Sequence, residues 1–282
     1  MRIAPCAQAG ASAALSGFRF ASLGSGSEGN ALIAEVVEDA TITRVMVDCG
    51  FGIRECERRL ARLDIAPESL SGILVTHEHG DHIGGVERIA RKYGVPVWMT
   101  YGTFVASNLG GPGPYKSALD ITVHLIDHHE AFAIGGVEVH PFPVPHDARE
   151  PAQFVLSDGD SRLGVLTDLG ASTPHVEAML AGCAALVLEC NHDGAMLRDG
   201  PYPARLKGRV GGRYGHLENA QAAQLLAKVA HGGLRHVLAA HLSHQNNTPA
   251  LARAALAEAL NCSPDWIGIA DQAEGFAWRS LD

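Results

Sequence analysis

The residues with the most chemical potential lie in Gly72-Ile-Leu-Val-Thr-His77-Glu-His79-Gly80-Asp81-His82-Ile-Gly84-Gly85. Three imidazoles and two carboxylates follow directly on an apolar run. In an extended backbone, side chains two positions apart project to the same side, so His77 and His79 converge. Asp81 and His82 come next, where a glycine-rich turn aims them at a neighbouring point. Imidazole and carboxylate donors suit zinc, manganese or iron, and two adjacent clusters suit two divalent metal ions. A merely solvated turn has no reason to gather so many ligand types behind a buried strand.

Two metals need more than four protein donors, so other strand ends are expected to supply the rest. His146 follows the run Pro141-Phe-Pro-Val-Pro145 and precedes Asp147. Asp168 emerges where Leu163-Gly-Val-Leu-Thr167 stops, and a carboxylate there can serve two cations at once. His241 ends Val237-Leu-Ala-Ala240 in the same manner. His124, His128, His129, His140, His175, His231 and His236 are expected to be structural or solvated, and His192 has no assigned role.

The elements that must position these residues are legible from periodicity and punctuation. Strands are expected at 18–23, 31–37, 41–47, 71–76 and 95–98, with helices at 54–63 and 86–93. The helix at 54–63 carries Leu60 and Leu63 on its apolar side and several arginines outside. The second half repeats this rhythm, with strands at 121–126, 131–134, 137–142, 154–157, 162–167, 185–188 and 236–240. Thr173-Pro174 and Thr248-Pro249 each open a helix with a cap and a proline in the first turn, and 217–229 is helical. Segment 198–215 has no periodicity and reads as a long loop. Strands in both halves, with helices between them, predict an αββα sandwich of two mixed β-sheets with outer helices.

Bulk composition narrows the class. The chain has 282 residues, 46% hydrophobic and 19% charged, which is ordinary for a soluble globular protein. A formal charge of −9 excludes a polycation that coats nucleic acid. The six cysteines form no C-x-x-C pair, which argues against a disulfide framework and fits a reducing, cytoplasmic setting. No apolar run approaches the ~20 residues that span a bilayer, so no membrane partner is expected. Residues 1–17 read as a disordered or mis-assigned extension, with no linker dividing 18–282 into separate domains.

With these residues in place, the pattern resembles the metallo-β-lactamase superfamily, whose T-H-x-H-x-D-H stretch is matched by Thr76 to His82. The resemblance implies that His77, His79 and His146 hold one metal and that Asp81, His82 and His241 hold the other. Asp168 and a hydroxide would lie between them. An aspartate at position 168 and the final His241 point to the phosphodiesterase, nuclease and glyoxalase II side of the superfamily. The finer likeness is to the YycJ (WalJ) type of metallohydrolase, a bacterial group described as DNA exonucleases. Its words are matched at Ser22 to Asn30, His146-Asp147, Thr167 to Gly170, Leu188 to Asp193, Gly215 to Asn219 and His241 to Pro249. Glu28 and Glu218 stand where that group carries serine. Glu189 and His216 resemble a pair in the tRNA 3′-processing enzymes that relays a proton to the leaving oxygen.

These likenesses predict a binuclear metal-dependent phosphodiester hydrolase acting on nucleic acid, DNA rather than RNA. Asp81, Glu189 and His216 are its expected catalytic residues. Ser25, Ser27 and Asn30 in the glycine-rich loop, Ser243 and Asn246 after the last ligand, and Arg205, Lys207 and Arg209 are candidate substrate contacts. The rivals are a hydrolase of the same fold acting on a cyclic phosphodiester, thioester or lactone, and a non-catalytic metal-binding protein.

Overall fold

Leu32, Ala34 and Val36 point to one side of their strand and Ala31 and Ile33 to the other, and both sides are buried. The same alternation recurs in Leu238 and Ala240 against Val237 and Ala239. Strands covered on both faces require a layer above and a layer below, and the chain supplies them. The computed structural model describes residues 17–107, 109 and 121–282. The expected extension lies outside the described residues except for Gly17, which already opens the first strand.

The first sheet contains β1 (Gly17–Gly24), β2 (Ala31–Glu38), β3 (Thr41–Val47), β4 (Gly72–Leu74), β5 (Val97–Thr100) and β6 (Val123–Ile126). The second contains β7 (Phe132–Ile134), β8 (Val137–Pro143), β9 (Ala152–Ser157), β10 (Arg162–Leu166), β11 (Ala185–Glu189), β12 (His236–Ala240) and β13 (Gly268–Ile269). A last strand, β14 (Phe276–Ser280), returns to pair with β1, giving the orders β14-β1-β2-β3-β4-β5-β6 and β13-β12-β11-β10-β9-β8-β7. Both sheets are antiparallel up to one strand, β3 or β10, and parallel beyond it.

Phe18, Phe20, Val45 and Val47 from one sheet and Phe154, Leu156, Leu163 and Val187 from the other fill the space between the sheets. Helices α1 (Ile53–Ala61), α2 (Gly80–Ile83), α3 (Val86–Tyr93) and α4 (Tyr101–Ala106) belong to the first half. Leu60 of α1, Ile89 of α3 and Phe104 of α4 cover the outer face of the first sheet. The second half carries α5 (Pro174–Leu180), α6 (Gly194–Asp199), α7 (Ala204–Val210), α8 (Asn219–Val229) and α9 (Pro249–Leu260). Val176, Leu225 and Leu256 from α5, α8 and α9 cover the outer face of the second sheet. The result is the expected four-layer αββα sandwich.

Several elements depart from the sequence reading. The strand at 71–76 pairs as a strand over three residues, because the Thr76 N–H is taken by Asp48 Oδ1 (2.8 Å) instead of a neighbouring strand. Segment 198–215 is not a loop. Asp193 caps α6 by accepting from Met196 N, and α7 follows after Pro203. No residue of α7 is buried, so no apolar stripe marks it in the sequence. Arg54 and Arg58 of α1 are exposed, as expected, and Arg59 is buried. Arg59 is 7% exposed, stacks on Phe51 at 4.0 Å, and donates through Nη1 to the carbonyls of Leu23 (2.6 Å) and Gln272 (2.9 Å). A guanidinium is suited to this because its fork serves two acceptors at once. Among the described residues, no helix is long and apolar enough to cross a membrane.

Replacing Arg59 by alanine leaves the buried Gln272 carbonyl without its guanidinium donor and the Leu23 carbonyl with only the longer contact from Arg62 (3.2 Å), and is expected to cost about 2 kcal/mol of unfolding free energy. Arg58→Ala, which removes only a surface contact with Glu55, should leave the denaturation midpoint nearly unchanged. Urea melts of the two variants read the difference; equal midpoints would show that the buried contacts carry no stability.

Candidate metal centre

Parallel strands end on the same edge of a sheet, and here both sheets present those ends together. Asp48 follows β3, His77 lies just beyond β4, Asp168 beyond β10, Glu189 closes β11 and His241 follows β12. β8 runs in the same direction as β10, since both are antiparallel to β9, so His146 emerges on that edge too. Asp48, Asp168 and His241 have φ of 60°, 57° and 54°, the left-handed region that non-glycine residues rarely occupy. Such a turn swings the side chain back over the strand end instead of onward along the chain.

The convergence is close. His79 Nδ1 lies 3.0 Å from His77 Nε2 and 3.3 Å from His146 Nε2. Asp81 Oδ2 lies 3.5 Å from His82 Nε2 and 3.4 Å from His241 Nε2. Asp168 stands between the two groups, with Oδ2 2.8 Å from His82 Nε2 and Oδ1 3.8 Å from His146 Nε2. Each trio offers donor atoms within 4.8 Å of one another. All seven residues read from the sequence as ligands therefore meet at one place.

The hydrogen bonds behind the rings decide which nitrogens face inward. His82 Nδ1 is 2.8 Å from Asp48 Oδ2. His77 Nδ1 is 3.0 Å from Thr76 Oγ1, whose own hydrogen goes to Asp48 Oδ2. His146 Nδ1 faces the Gly215 carbonyl at 3.0 Å, and His241 Nδ1 faces Glu189 Oε1 at 3.4 Å. With hydrogens assigned to these outer nitrogens by their acceptors, the Nε2 lone pairs of all four rings point at the cluster. Asp168 Oδ2 is buried and has no well-directed hydrogen bond. Converging lone pairs and an orphaned carboxylate oxygen are the donor set of a divalent cation, so the residues present fit a metal.

Charge follows the same logic. Burial pushes His77 well below the usual imidazole range, and the neighbouring His82 pushes it further. For His82 burial acts downward too, but Asp168 and Asp48 outweigh it and hold the ring well above that range. His241, flanked by Asp168, Asp81 and Glu189, is held at about 10 against the effect of burial. Burial raises the carboxyls of Asp81 and Asp168, yet the surrounding imidazoles keep both well below the ordinary carboxylate range.

The comparisons with known proteins agree with this geometry. Residues 43–242 match the family model described as the Beta-lactamase superfamily domain. The chain belongs to that superfamily. It is 35% identical to the Exodeoxyribonuclease YycJ of Bacillus anthracis over 86% of this chain and 89% of that one. It is 30% identical to the Exodeoxyribonuclease WalJ of Streptococcus pneumoniae over 90% and 92%. The metallo-β-lactamase fold protein YhfI of Bacillus subtilis superposes with a TM-score of 0.71 over 94% of this chain and all of that one, at 15% identity. That last likeness speaks for the fold.

Beside the seven converging residues lies the expected pair. Glu189 is fully buried and receives Leu169 N (2.7 Å) and Leu217 N (3.2 Å) on Oε2. Its Oε1 is 2.7 Å from His216 Nδ1. Burial raises Glu189, but the His216 ring outweighs that and sets it at about 2. Burial lowers His216, and Glu189 with Asp168 reverses the sign and lifts it above its ordinary value.

The candidate substrate contacts divide. Ser25 donates to Asn30 Oδ1 (3.0 Å) and accepts from His241 N (2.9 Å). Asn30 itself accepts from Gly26 N and donates toward the Asp81 carbonyl. Their polar atoms tie His241 to the Asp81 loop and are not free to cradle a phosphate; Ser27 alone of that group is exposed. Ser243 and Asn246 are likewise buried and bonded to each other. Among the cations, Arg205 is exposed, Lys207 donates to the Arg198 carbonyl (2.6 Å), and Arg209 Nε meets Asp147 Oδ2 at 2.5 Å. Glu218 forms a capping box with Gln221 at the start of α8, so its charge is committed to a helix end.

Sequence reasoning missed Asp48. The available signal was Gly50, where a Cβ would lie 1.9 Å from the Asp81 carbonyl oxygen. Only a glycine lets the Asp48 strand end approach the metal loop this closely.

Chelator-stripped protein is expected to carry protons on His82 and His241, because their carboxylate neighbours raise both rings. Divalent metal must then expel them. Below about pH 10 for His241, affinity therefore rises with pH and binding releases protons. Calorimetric titration with zinc in buffers of different ionisation enthalpy reads the number released. A binding heat independent of buffer would contradict the arrangement.

Proposed function

We propose that this chain is a two-metal phosphodiester hydrolase that degrades DNA from an end. The observation that carries the reading is the inward set of five ring nitrogens with Asp81 and Asp168, placed beside the Glu189–His216 pair. His77, His79 and His146 would hold one cation, Asp81, His82 and His241 the second, and Asp168 both. Bound there, two divalent cations supply Lewis acidity toward the phosphate oxygens and an activated water at neutral pH. Zinc and manganese both suit these donors, and iron is compatible.

The chain's own residues supply the rest. Asp81, ionised and a quarter exposed, orients the attacking water. Glu189 is fixed by two backbone N–H groups and holds the His216 ring by Nδ1, which keeps that ring charged. His216 then gives its proton to the departing sugar oxygen. Asp48 takes no part in the chemistry; it holds Thr76 and His82 in register. The substrate class is supported by the relatives from Bacillus anthracis and Streptococcus pneumoniae, both named exodeoxyribonucleases, and by Arg209, which meets Asp147 beside His146. Residues 17–282 act in this reading as a single domain in the cytoplasm.

Metal analysis combined with digestion of end-labelled single- and double-stranded DNA tests the proposal. His77→Ala and Asp168→Ala are expected to lose metal and roughly a hundredfold or more of the activity. Variants as fast as the parent would end the two-metal reading.

His216→Ala separates two roles. As a proton donor its loss slows turnover by roughly 10²–10⁴-fold with metal content unchanged. His216 also lies 3.3 Å from Asp168 Oδ1 and within a second possible donor group with Glu189 and His241. Lost metal in this variant would make it a ligand.

A further inference from the structure

The carboxylate of Asp147 faces two ways. Its Oδ1 lies 3.5 Å from His146 Nε2, the nitrogen that points at the cluster, and its Oδ2 meets Arg209 Nε at 2.5 Å. The width of one carboxylate therefore separates the Arg209 guanidinium from a metal-facing nitrogen. Among the described residues, Asp147 belongs to none of the groups whose donor atoms gather within 4.8 Å, so it stands outside the ligand set.

The backbones on either side are tied to the same place. Asp147 N donates to the Tyr214 carbonyl at 2.9 Å, and His216 N to the Val210 carbonyl at 2.8 Å. Between them Gly215 presents its carbonyl to His146 Nδ1. A Cβ on Gly215 would fall 2.2 Å from the carbonyl oxygens of both Arg209 and Val210, so only glycine lets the end of α7 sit this close to the His216 loop. Arg209 is thus held at both ends, its backbone against Gly215 and its Nε on Asp147.

The rest of the guanidinium is uncommitted. Among the described residues neither Nη of Arg209 has an acceptor, and the side chain is 60% exposed. A guanidinium is a planar fork: with Nε engaged, the Nη edge still offers parallel N–H groups that suit two phosphate oxygens. The Asp147–Arg209 pair is neutral as a whole, so it brings donors to the centre without adding long-range attraction. A lysine has one nitrogen and could not serve both partners in a fixed plane.

We propose that Asp147 is a positioning residue that turns Arg209 so that its Nη groups clamp the phosphate lying over the centre. This rests on the nuclease reading above. Arg209 touches an oxygen of the phosphate and gives up no proton. Asp147 acts only through Arg209, and its carboxylate replaces the reorganisation that a free arginine on the surface of α7 would need before it could meet growing charge.

The test compares metal-loaded parent with Arg209→Ala, Arg209→Lys, Asp147→Ala and the double variant. Two readouts serve, kcat/KM on end-labelled single-stranded DNA and calorimetric titration with inorganic phosphate, with metal content measured throughout. Arg209→Ala should lose roughly ten- to a hundredfold in kcat/KM and bind phosphate roughly tenfold more weakly, as for a lost charge-assisted hydrogen bond, with its metal retained. Arg209→Lys should recover little of either. Asp147→Ala should cost roughly tenfold in the parent and nothing further in Arg209→Ala. An equal cost in both backgrounds, or loss of metal, would show that Asp147 does not act through Arg209. A gain in Asp147→Ala would show that the carboxylate withholds the arginine from phosphate instead of presenting it. If the parent degrades DNA and Arg209→Ala matches it in both readouts, the clamp is refuted and the nuclease reading stands. If the parent leaves DNA intact, the nuclease reading fails, and the phosphate titration alone decides the clamp.

Discussion

Five imidazoles cannot turn unshared electron pairs toward one buried point unless something positive stands there. Donor atoms of each trio lie within 4.8 Å, in an interior where charge is screened far less than in water. The fold accepts this because four of the five rings are restrained from behind. Asp48, Thr76, the Gly215 carbonyl and Glu189 each fix a ring by its far nitrogen, so rotating a ring away would break a hydrogen bond and bury an unpaired group. The centre is therefore held from outside inward, and its geometry belongs to the second layer of contacts as much as to the donors themselves.

The symmetry of the two sheets gives that restraint a structural origin. β3 and β10 occupy the same place, the strand at which antiparallel pairing gives way to parallel. Each is followed by an aspartate in the left-handed region, Asp48 and Asp168. One strand end supports the rings from behind, and the other faces the space between the clusters. Equivalent positions thus do different work, depending on which sheet carries the His77 loop. Left-handed non-glycine residues cost on the order of 1–3 kcal/mol each, and all of Asp48, Asp168 and His241 lie at this edge. The strain is offset by the central core, where both sheets are buried on both faces.

What was legible in the sequence follows from this division. A donor after an apolar run announces itself, because a charged or imidazole side chain beside a buried strand needs a reason. His77, His146, Asp168 and His241 were readable on that ground, and the strands that carry them on alternation. Asp48 has the same form, yet its partners Thr76 and His82 lie 28 and 34 positions away, and a hydrogen bond across that distance leaves no mark in the chain. Arg59 is unreadable for the same reason, since its acceptors Leu23 and Gln272 come from opposite ends. α7 and β14 lack an internal signature: the first buries nothing, and the second is a strand only because β1 has an edge to pair. Ser25 and Asn30 misled in the other direction. A glycine- and serine-rich loop has the composition of an anion cradle, and here the same composition lets the backbone fold tightly enough to staple two distant segments.

The electrostatics of the centre bear on how an acidic protein can take an acidic substrate. With a formal charge of −9, the chain offers no general attraction to a phosphate backbone. Its local cations are largely spoken for, with Arg209 paired to Asp147, Lys207 on the Arg198 carbonyl and Arg198 on Asp199. The site itself gathers Asp48, Asp81, Asp147, Asp168 and Glu189, whose negative charge repels a phosphate. Divalent cations held there would reverse that sign at one point only. A phosphodiester would then be drawn to that edge by the cations and not by the charge of the chain as a whole.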